Sequence, residues 1–344
     1  MDCFDLIDDN FRPASTKHES EPLLPSASIL LSRTPFTYTH VHWHKFYQAC
    51  VELKQQIGSP SWVFIDACWD PFTLSNEEIE IRRKDLESIF KTSKICILSA
   101  KAQHYYDNIL GCIYYPQFLT IKYPELNHQE KRGRIGCLNR RNAWHRVWLM
   151  HHLLDANLIS PDKDVYSIKF TALQDNQSYY DVDTTLGIDW FNQAQMRWPK
   201  EIATHHDNFI NDYSIDHPAW HTSIVIITET EPGKNAIICE KTAKGILSKS
   251  CFSIYTGDVG YRVLEDLGFL PRFFPKHAED SNIKPILRIC QDITTESQAL
   301  EYRQMHIDEI NHNFEWFGSN QLDVSQRPWY SIYATKLRDG LERL

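Results

Sequence analysis

The chain alternates short apolar runs with amphipathic stretches, the rhythm of strands joined by helices in a mainly parallel sheet. Ala27–Leu31 is a short apolar run, and Trp43–Gln56 carries Phe46, Ala49, Cys50 and Leu53 at helical spacing. Trp62–Asp66 reads as a buried strand ending in an acid, and Asn76–Lys91 as a charged amphipathic helix with Ile79, Leu86, Ile89 and Phe90 inward. Residues 94–99 form a further strand, 103–110 a helix and 113–115 another strand. The hydrophilic run YPELNHQEKRGR (123–134) then interrupts the rhythm.

It restarts with a strand over 134–139 and a helix over Trp144–Leu158, whose Val147, Met150, Leu154 and Leu158 share one stripe. Val165–Phe170 is strand-like, whereas 171–222 mixes polar and aromatic residues without a period. Segments 223–228, 240–249, 252–256 and 260–267 predict β, α, β, α, with Gly268 suited to a helix C-cap. Ser297–Phe317 reads as one helix and Trp329–Leu344 as a last one. The expectation is an α/β protein of two Rossmann-like domains: residues 1–132, then 133–296, with 297–344 as helices packing back on the first.

Length agrees, since 344 residues is about twice a typical single domain. Residues 12–28, rich in Pro, Ser and charge, read as a linker. The start, MDCFDLIDDNF, is acidic and unlike a secretory signal, and no apolar run approaches the ~20 residues of a membrane helix. Nine scattered cysteines without a CxxC suit a reduced, cytoplasmic protein. A net charge of −9 argues against an overall basic coat for nucleic acid but leaves room for a local basic cleft.

Two segments concentrate candidate chemistry. In LeuAsnArgArgAsnAlaTrpHisArg (138–146), Arg140, Arg141, His145 and Arg146 cluster where a strand hands over to a helix. Cations there oppose the helix dipole, so arginine forks make sense if an anion such as a diphosphate fills the site. The alternative is a solvated basic turn. In Glu240-Lys241-Thr242-Ala243-Lys244, Glu240 and Lys244 fit an ordinary i,i+4 surface pair. Following a buried strand and an acidic loop with Glu229 and Glu231, the same residues suit a ribose and its phosphates: a carboxylate takes the hydroxyls and a lysine meets the phosphate.

These two segments carry a resemblance. IleIleCysGluLysThrAlaLysGlyIleLeu (237–247) and CysPheSerIleTyrThrGlyAspValGly (251–260) resemble the donor-site signature of fucosyltransferase-like inverting glycosyltransferases. They are closer to a set of phage and bacterial glycosyltransferase-like proteins that also carries a Cys-Leu-Asn-Arg-x-x-x-His-Arg segment, matched by 137–146. The resemblance covers 134–159 and 224–269, and departs at Gly245 and at Lys249-Ser250-Cys251. It implies a GT-B architecture, two Rossmann-like domains facing across a cleft. Glu240 would hold the ribose, Lys241 the diphosphate, Arg140 or Arg146 a phosphate as well, and Glu229 would lie near the sugar. A nucleotide-sugar is then a co-substrate and no cofactor or metal is required, because cationic side chains can neutralise the leaving diphosphate.

An inverting transfer needs a base for the acceptor hydroxyl. Asp66 and Asp70, in IleAspAlaCysTrpAspProPhe, fit it as acids at a strand end of the first half, although either also suits a turn or cap. The phage-like resemblance admits a modified pyrimidine of DNA as acceptor, with Arg82, Arg83, Lys122, Lys131, Arg132 and Arg134 supplying charge. Trp69, Tyr105, Tyr106, Tyr114 and Tyr115 would then supply stacking. A glycan or small-molecule acceptor fits as well, as does a non-catalytic nucleotide-sugar-binding module. HisValHisTrpHis (40–44), if extended, sets three imidazoles on one face and suits zinc or an acceptor-facing loop; AspValAspThrThr (181–185) has the form of a DxD diphosphate–metal motif.

Overall fold

The computed structural model describes residues 2–5, 28–32, 40–66, 76–107, 111–116, 119, 130–139, 144–169, 201–203, 217–229, 236–274, 284–318 and 323–344. Their contacts divide the chain into two compact units, Met1–Gln117 with Ser331–Leu344, and Phe118–Tyr330. The division falls ahead of the hydrophilic run at 123–134. The helices after residue 296 stay with the second unit up to Tyr330. Both units are α/β with largely parallel sheets.

The first unit holds β1 (Asp2–Asp5), β2 (Ser28–Ser32), β3 (Trp62–Asp66), β4 (Lys94–Ser99) and β5 (Cys112–Tyr114). They pair in parallel in sequence order, so every crossover steps the same way. Right-handed crossovers then put their connections on one face. There α1 (His40–Ile57) and α2 (Asn76–Ile89) pack together. Trp43, Phe46, Cys50, Leu53, Leu86 and Phe90 from that layer bury Val63, Ile65, Ile95 and Ile97 of the sheet. The chain's start was read only as acidic; it supplies β1. The helix expected over 103–110 is, among the described residues, a 3-10 turn at Ala102–Tyr105.

The second unit is wound differently. Its strands are β6 (Ile135–Leu138), β7 (Val165–Lys169), β8 (Glu201–Ala203), β9 (Ile224–Thr228) and β10 (Cys251–Tyr255), in the order β10-β9-β6-β7-β8. All pair in parallel except β8, which runs antiparallel at the edge. α3 (Trp144–Asp155) connects β6 to β7 on one side, and α4 (Glu240–Leu247) connects β9 to β10 on the other. The winding therefore reverses between β6 and β9, and such a reversal opens a crevice at the carboxyl ends of those strands. β9 and the edge strand β10 are buried at every position and read as near-continuous apolar runs. Gly245 lets α4 lie close on β9, since a Cβ there would come within 2.7 Å of the Ile227 side chain.

After β10, α5 (Asp258–Asp266) ends at Gly268, whose φ of 90° suits glycine, with Phe269 N–H returning to Leu264 O at 3.0 Å. α6 (Lys284–Asp292) was not read from the sequence, although its buried Ile286, Ile289 and Cys290 have helical spacing. The tail expected as one helix is two, α7 (Glu296–Met305) and α8 (Ile307–Phe317), broken at His306. The break serves packing: Tyr302 and His306 contact Phe273, while α8 turns to grip the loop after α5. Asn313 brackets Leu270, accepting from its N–H at 2.6 Å and donating to its carbonyl at 2.8 Å. Trp316 and His312 donate to the Leu267 and Gly268 carbonyls at 2.7 and 2.9 Å. The last helix, α9 (Pro328–Arg343), ends in the first unit.

Two cations, Arg134 buried and Lys131 half-buried, fasten the second unit. Arg134 binds Asp164 through two bonds of 2.9 and 2.6 Å and donates to the carbonyls of Ile293 at 2.7 Å and Leu158 at 2.5 Å. Lys131 donates to Trp220 O at 3.0 Å, to Ser250 Oγ at 2.7 Å and to Ser248 O. Arg134→Ala strands a buried carboxylate and the carbonyls of Cys290, Ile293 and Leu158, and should cost about 3–5 kcal/mol of stability. The double change Arg134→Met with Asp164→Leu should cost much less; urea unfolding of the three proteins gives the comparison.

Candidate functional site

The strand end Thr228-Glu229 lies at the winding reversal between β6 and β9. Its two backbone carbonyls collect donors from both neighbouring helices. Arg146 Nη2 of α3 donates to Thr228 O at 3.3 Å and Glu229 O at 3.1 Å, and His145 Nε2 donates to Glu229 O at 2.8 Å. Lys241 Nζ of α4 donates to Thr228 O at 3.0 Å. The Thr228 hydroxyl meets Asn139 Oδ1 at 2.5 Å, just past β6. The segments 137–146 and 228–244 therefore come together around one strand end.

The Glu229 side chain is fully buried. One oxygen accepts from Cys239 N–H at 3.0 Å and the other from the Thr242 hydroxyl. Cys239 is the N-cap of α4 and makes no capping bond of its own, so Glu229 caps that helix from the neighbouring strand. Burial raises the Glu229 carboxyl above its ordinary value, against the bonds and Lys241, which pull it down. Glu229, expected beside a sugar, has both side-chain oxygens engaged within the fold.

Arg146 and His145 are buried at 3% and 5% exposure and hold the strand end. Burial, with Arg146 beside it, pushes His145 down to about 3, so its ring is neutral and the proton on Nε2 points at Glu229 O. Its face meets Tyr255, the end of β10, at 5.7 Å.

Glu240 and Lys241 are half-buried at the rim. Burial would raise the Glu240 carboxyl, but Lys241, the helix backbone and Lys244 outweigh it and hold it below its usual value. Burial and Arg146 lower Lys241 from the ordinary lysine value. One of its three donors is engaged by Thr228 O. Lys244 points elsewhere: it is buried, with its ammonium 5.8 Å from the Trp220 ring. What the rim can do chemically is present a carboxylate, an ammonium and the first turn of α4 to a polar, anionic ligand.

Arg140, Arg141, Asp70, Lys122, Trp69 and the DxD-like segment 181–185 lie outside the described residues. Asp66 ends β3, at the carboxyl edge of a sheet whose winding does not reverse. The histidines at 40–44 are not extended: they open α1, where alternate residues cannot share a face. Of the cations named for a nucleic-acid cleft, Arg134 and Lys131 are engaged inside the fold, Arg82 is buried over the Trp43 ring and Arg83 pairs with Glu87 at 3.2 Å. Asn139, Thr228, Thr242 and Tyr255 belong to the site and were missed. Asn139 stood inside a noticed motif, while Thr228 and Tyr255 looked like the last residues of buried strands. Comparisons with protein-family models, with curated proteins and with solved structures find no match.

His145 titrates near 6.5 when unfolded and at about 3 when folded. Between those values the unfolded chain binds more protons, so the stability it contributes is whole above pH 6.5 and falls as pH drops toward 3. Urea midpoints should decline from pH 7 to pH 5, and His145→Gln should flatten that decline by up to about 1.4 kcal/mol per pH unit.

Proposed function

We propose that the chain is a nucleotide-sugar-dependent glycosyltransferase of the GT-B type, with Phe118–Tyr330 as its donor-binding half. One observation carries the reading: the two segments that bear the resemblance meet at the winding reversal of a parallel sheet, where this class of fold takes its ligands. Glu240 accepts the ribose hydroxyls at the rim. Lys241 and the first turn of α4 meet the diphosphate and neutralise it as it leaves, helped by Arg140 and Arg141. Arg146, His145 and Glu229 act one step behind, fixing the strand end and the helix start from which those groups project. The first unit supplies the acceptor side, with Asp66 as base.

The acceptor on this reading is a glycan or small molecule. The burial of Arg134 and Arg82 and the internal engagement of Lys131 take away half of the six cations named for a DNA cleft. The internal engagement of Glu229 favours one further reading, a module that binds the donor without transferring it.

Isothermal titration with uridine, guanosine, adenosine and cytidine diphosphates tests the proposal. One of them should bind with a Kd below about 100 µM, and Lys241→Ala, checked for folding by circular dichroism, should weaken it about tenfold or more, or at least about 1.4 kcal/mol. Binding by none at millimolar concentration would remove the reading. Slow donor hydrolysis would separate transferase from binding module.

A further inference from the structure

The acid expected beside the sugar, Glu229, is engaged inside the fold, and the opposite side of the same strand end carries two polar atoms with no such engagement. Tyr255 ends β10 and pairs in register with Thr228 of β9, so the two side chains share one face of the sheet. That is the α3 face. The Tyr255 ring meets the His145 ring edge to face at 5.7 Å, whereas α4 lies through Gly245 on Ile227 and Phe252, which alternate to the other face.

His145 Nε2 donates to Glu229 O at 2.8 Å, so Nδ1 carries the lone pair of a neutral ring. Burial, with Arg146 beside it, pushes the imidazole down to about 3, and Nδ1 therefore stays an acceptor at neutral pH. Burial pushes the Tyr255 phenol up to about 12, so it keeps its proton and donates. Among the described residues neither Nδ1 nor the Tyr255 hydroxyl has a hydrogen-bond partner, although the two residues are only 5% and 6% exposed. Buried polar atoms of folded proteins are nearly always bonded, so two exceptions side by side point to a ligand. The side-chain atoms that are both unpartnered and sealed from solvent include Thr256 Oγ1 of the next residue but neither of these two, so both reach the surface.

An acceptor beside a donor has a definite complement, a neutral group that donates and accepts at once, and a hydroxyl is such a group. The order of groups around the strand end says which hydroxyl. Lys241 reaches Thr228 O from the α4 side at 3.0 Å, with Glu240 preceding it at the start of that helix. In the donor reading Glu240 takes the ribose and Lys241 the diphosphate, so the next group along the ligand, across the strand end on the α3 side, is the sugar.

Resting on that reading, we propose that His145 Nδ1 and the Tyr255 hydroxyl together hold one hydroxyl of the transferred sugar, Nδ1 accepting its hydrogen bond and Tyr255 donating to its oxygen. The pair then determines specificity, because a sugar lacking that hydroxyl leaves both buried atoms unpartnered.

Tyr255→Phe tests this, since it removes one oxygen and keeps the ring against His145. Its melting temperature should equal or exceed that of the native protein, because the hydroxyl bonds nothing within the described fold. Isothermal titration of the full chain compares uridine, guanosine, adenosine and cytidine diphosphates with the glucose conjugate of each, and with uridine diphosphate galactose and guanosine diphosphate mannose. At least one conjugate should bind about fivefold or more tightly than its own diphosphate, and Tyr255→Phe should erase that advantage while changing the diphosphate's affinity by less than about twofold. Binding by no nucleotide would remove the donor reading and this proposal with it. A diphosphate that binds as tightly as all its conjugates, an advantage that survives in Tyr255→Phe, equal weakening of diphosphate and conjugate, or a lower melting temperature in Tyr255→Phe would overturn this proposal alone.

Discussion

The end of β9 is the constraint around which the second unit is organised. A parallel strand that stops leaves its last carbonyls without ladder partners, and buried carbonyls must find donors. Here the donors come from both sides of the winding reversal: Arg146 and His145 from α3, Lys241 from α4. The side chain of the same Glu229 runs the opposite way, accepting from the start of α4. One residue pair therefore fixes two helices relative to two strands.

The two units make different use of the same layered chemistry. A sheet wound in one direction gives a continuous helix layer and no crevice from winding alone, which is the state of the first unit. A sheet whose winding reverses parts its helices at the reversal, and the second unit places its polar strand ends there. The first unit's concave feature arises instead from α9, whose Tyr333, Lys336 and Arg343 pack against the ends of β4 and β5.

Most strands were legible because buried parallel strands are short continuous apolar runs, and β3, β4, β6, β9 and β10 all read that way. The Asp2–Asp5 strand was hidden by its charged ends, and α6 by a short length with lysine and proline at its start. The single tail helix was misread because nothing local breaks the pattern at His306; the break comes from contacts with Phe273 and the loop after α5. At the site, the sequence pointed to the right segments but not to which side chains face inward. Glu229, Arg146 and Lys244 look like surface charges in a string of residues. Only the tertiary packing shows that the first two hold a strand end and that the third lies over Trp220. The histidine cluster was misjudged because alternation suggests a strand, whereas Phe46, Cys50 and Leu53 downstream set a helical period.

Hydrogen–deuterium exchange of the full chain, with and without a saturating nucleoside diphosphate, addresses the central claim most directly. The account predicts slower exchange concentrated in peptides spanning 137–146 and 228–244, the two segments that meet at the reversal. Unchanged exchange in both segments, with protection only in Met1–Gln117, would contradict it.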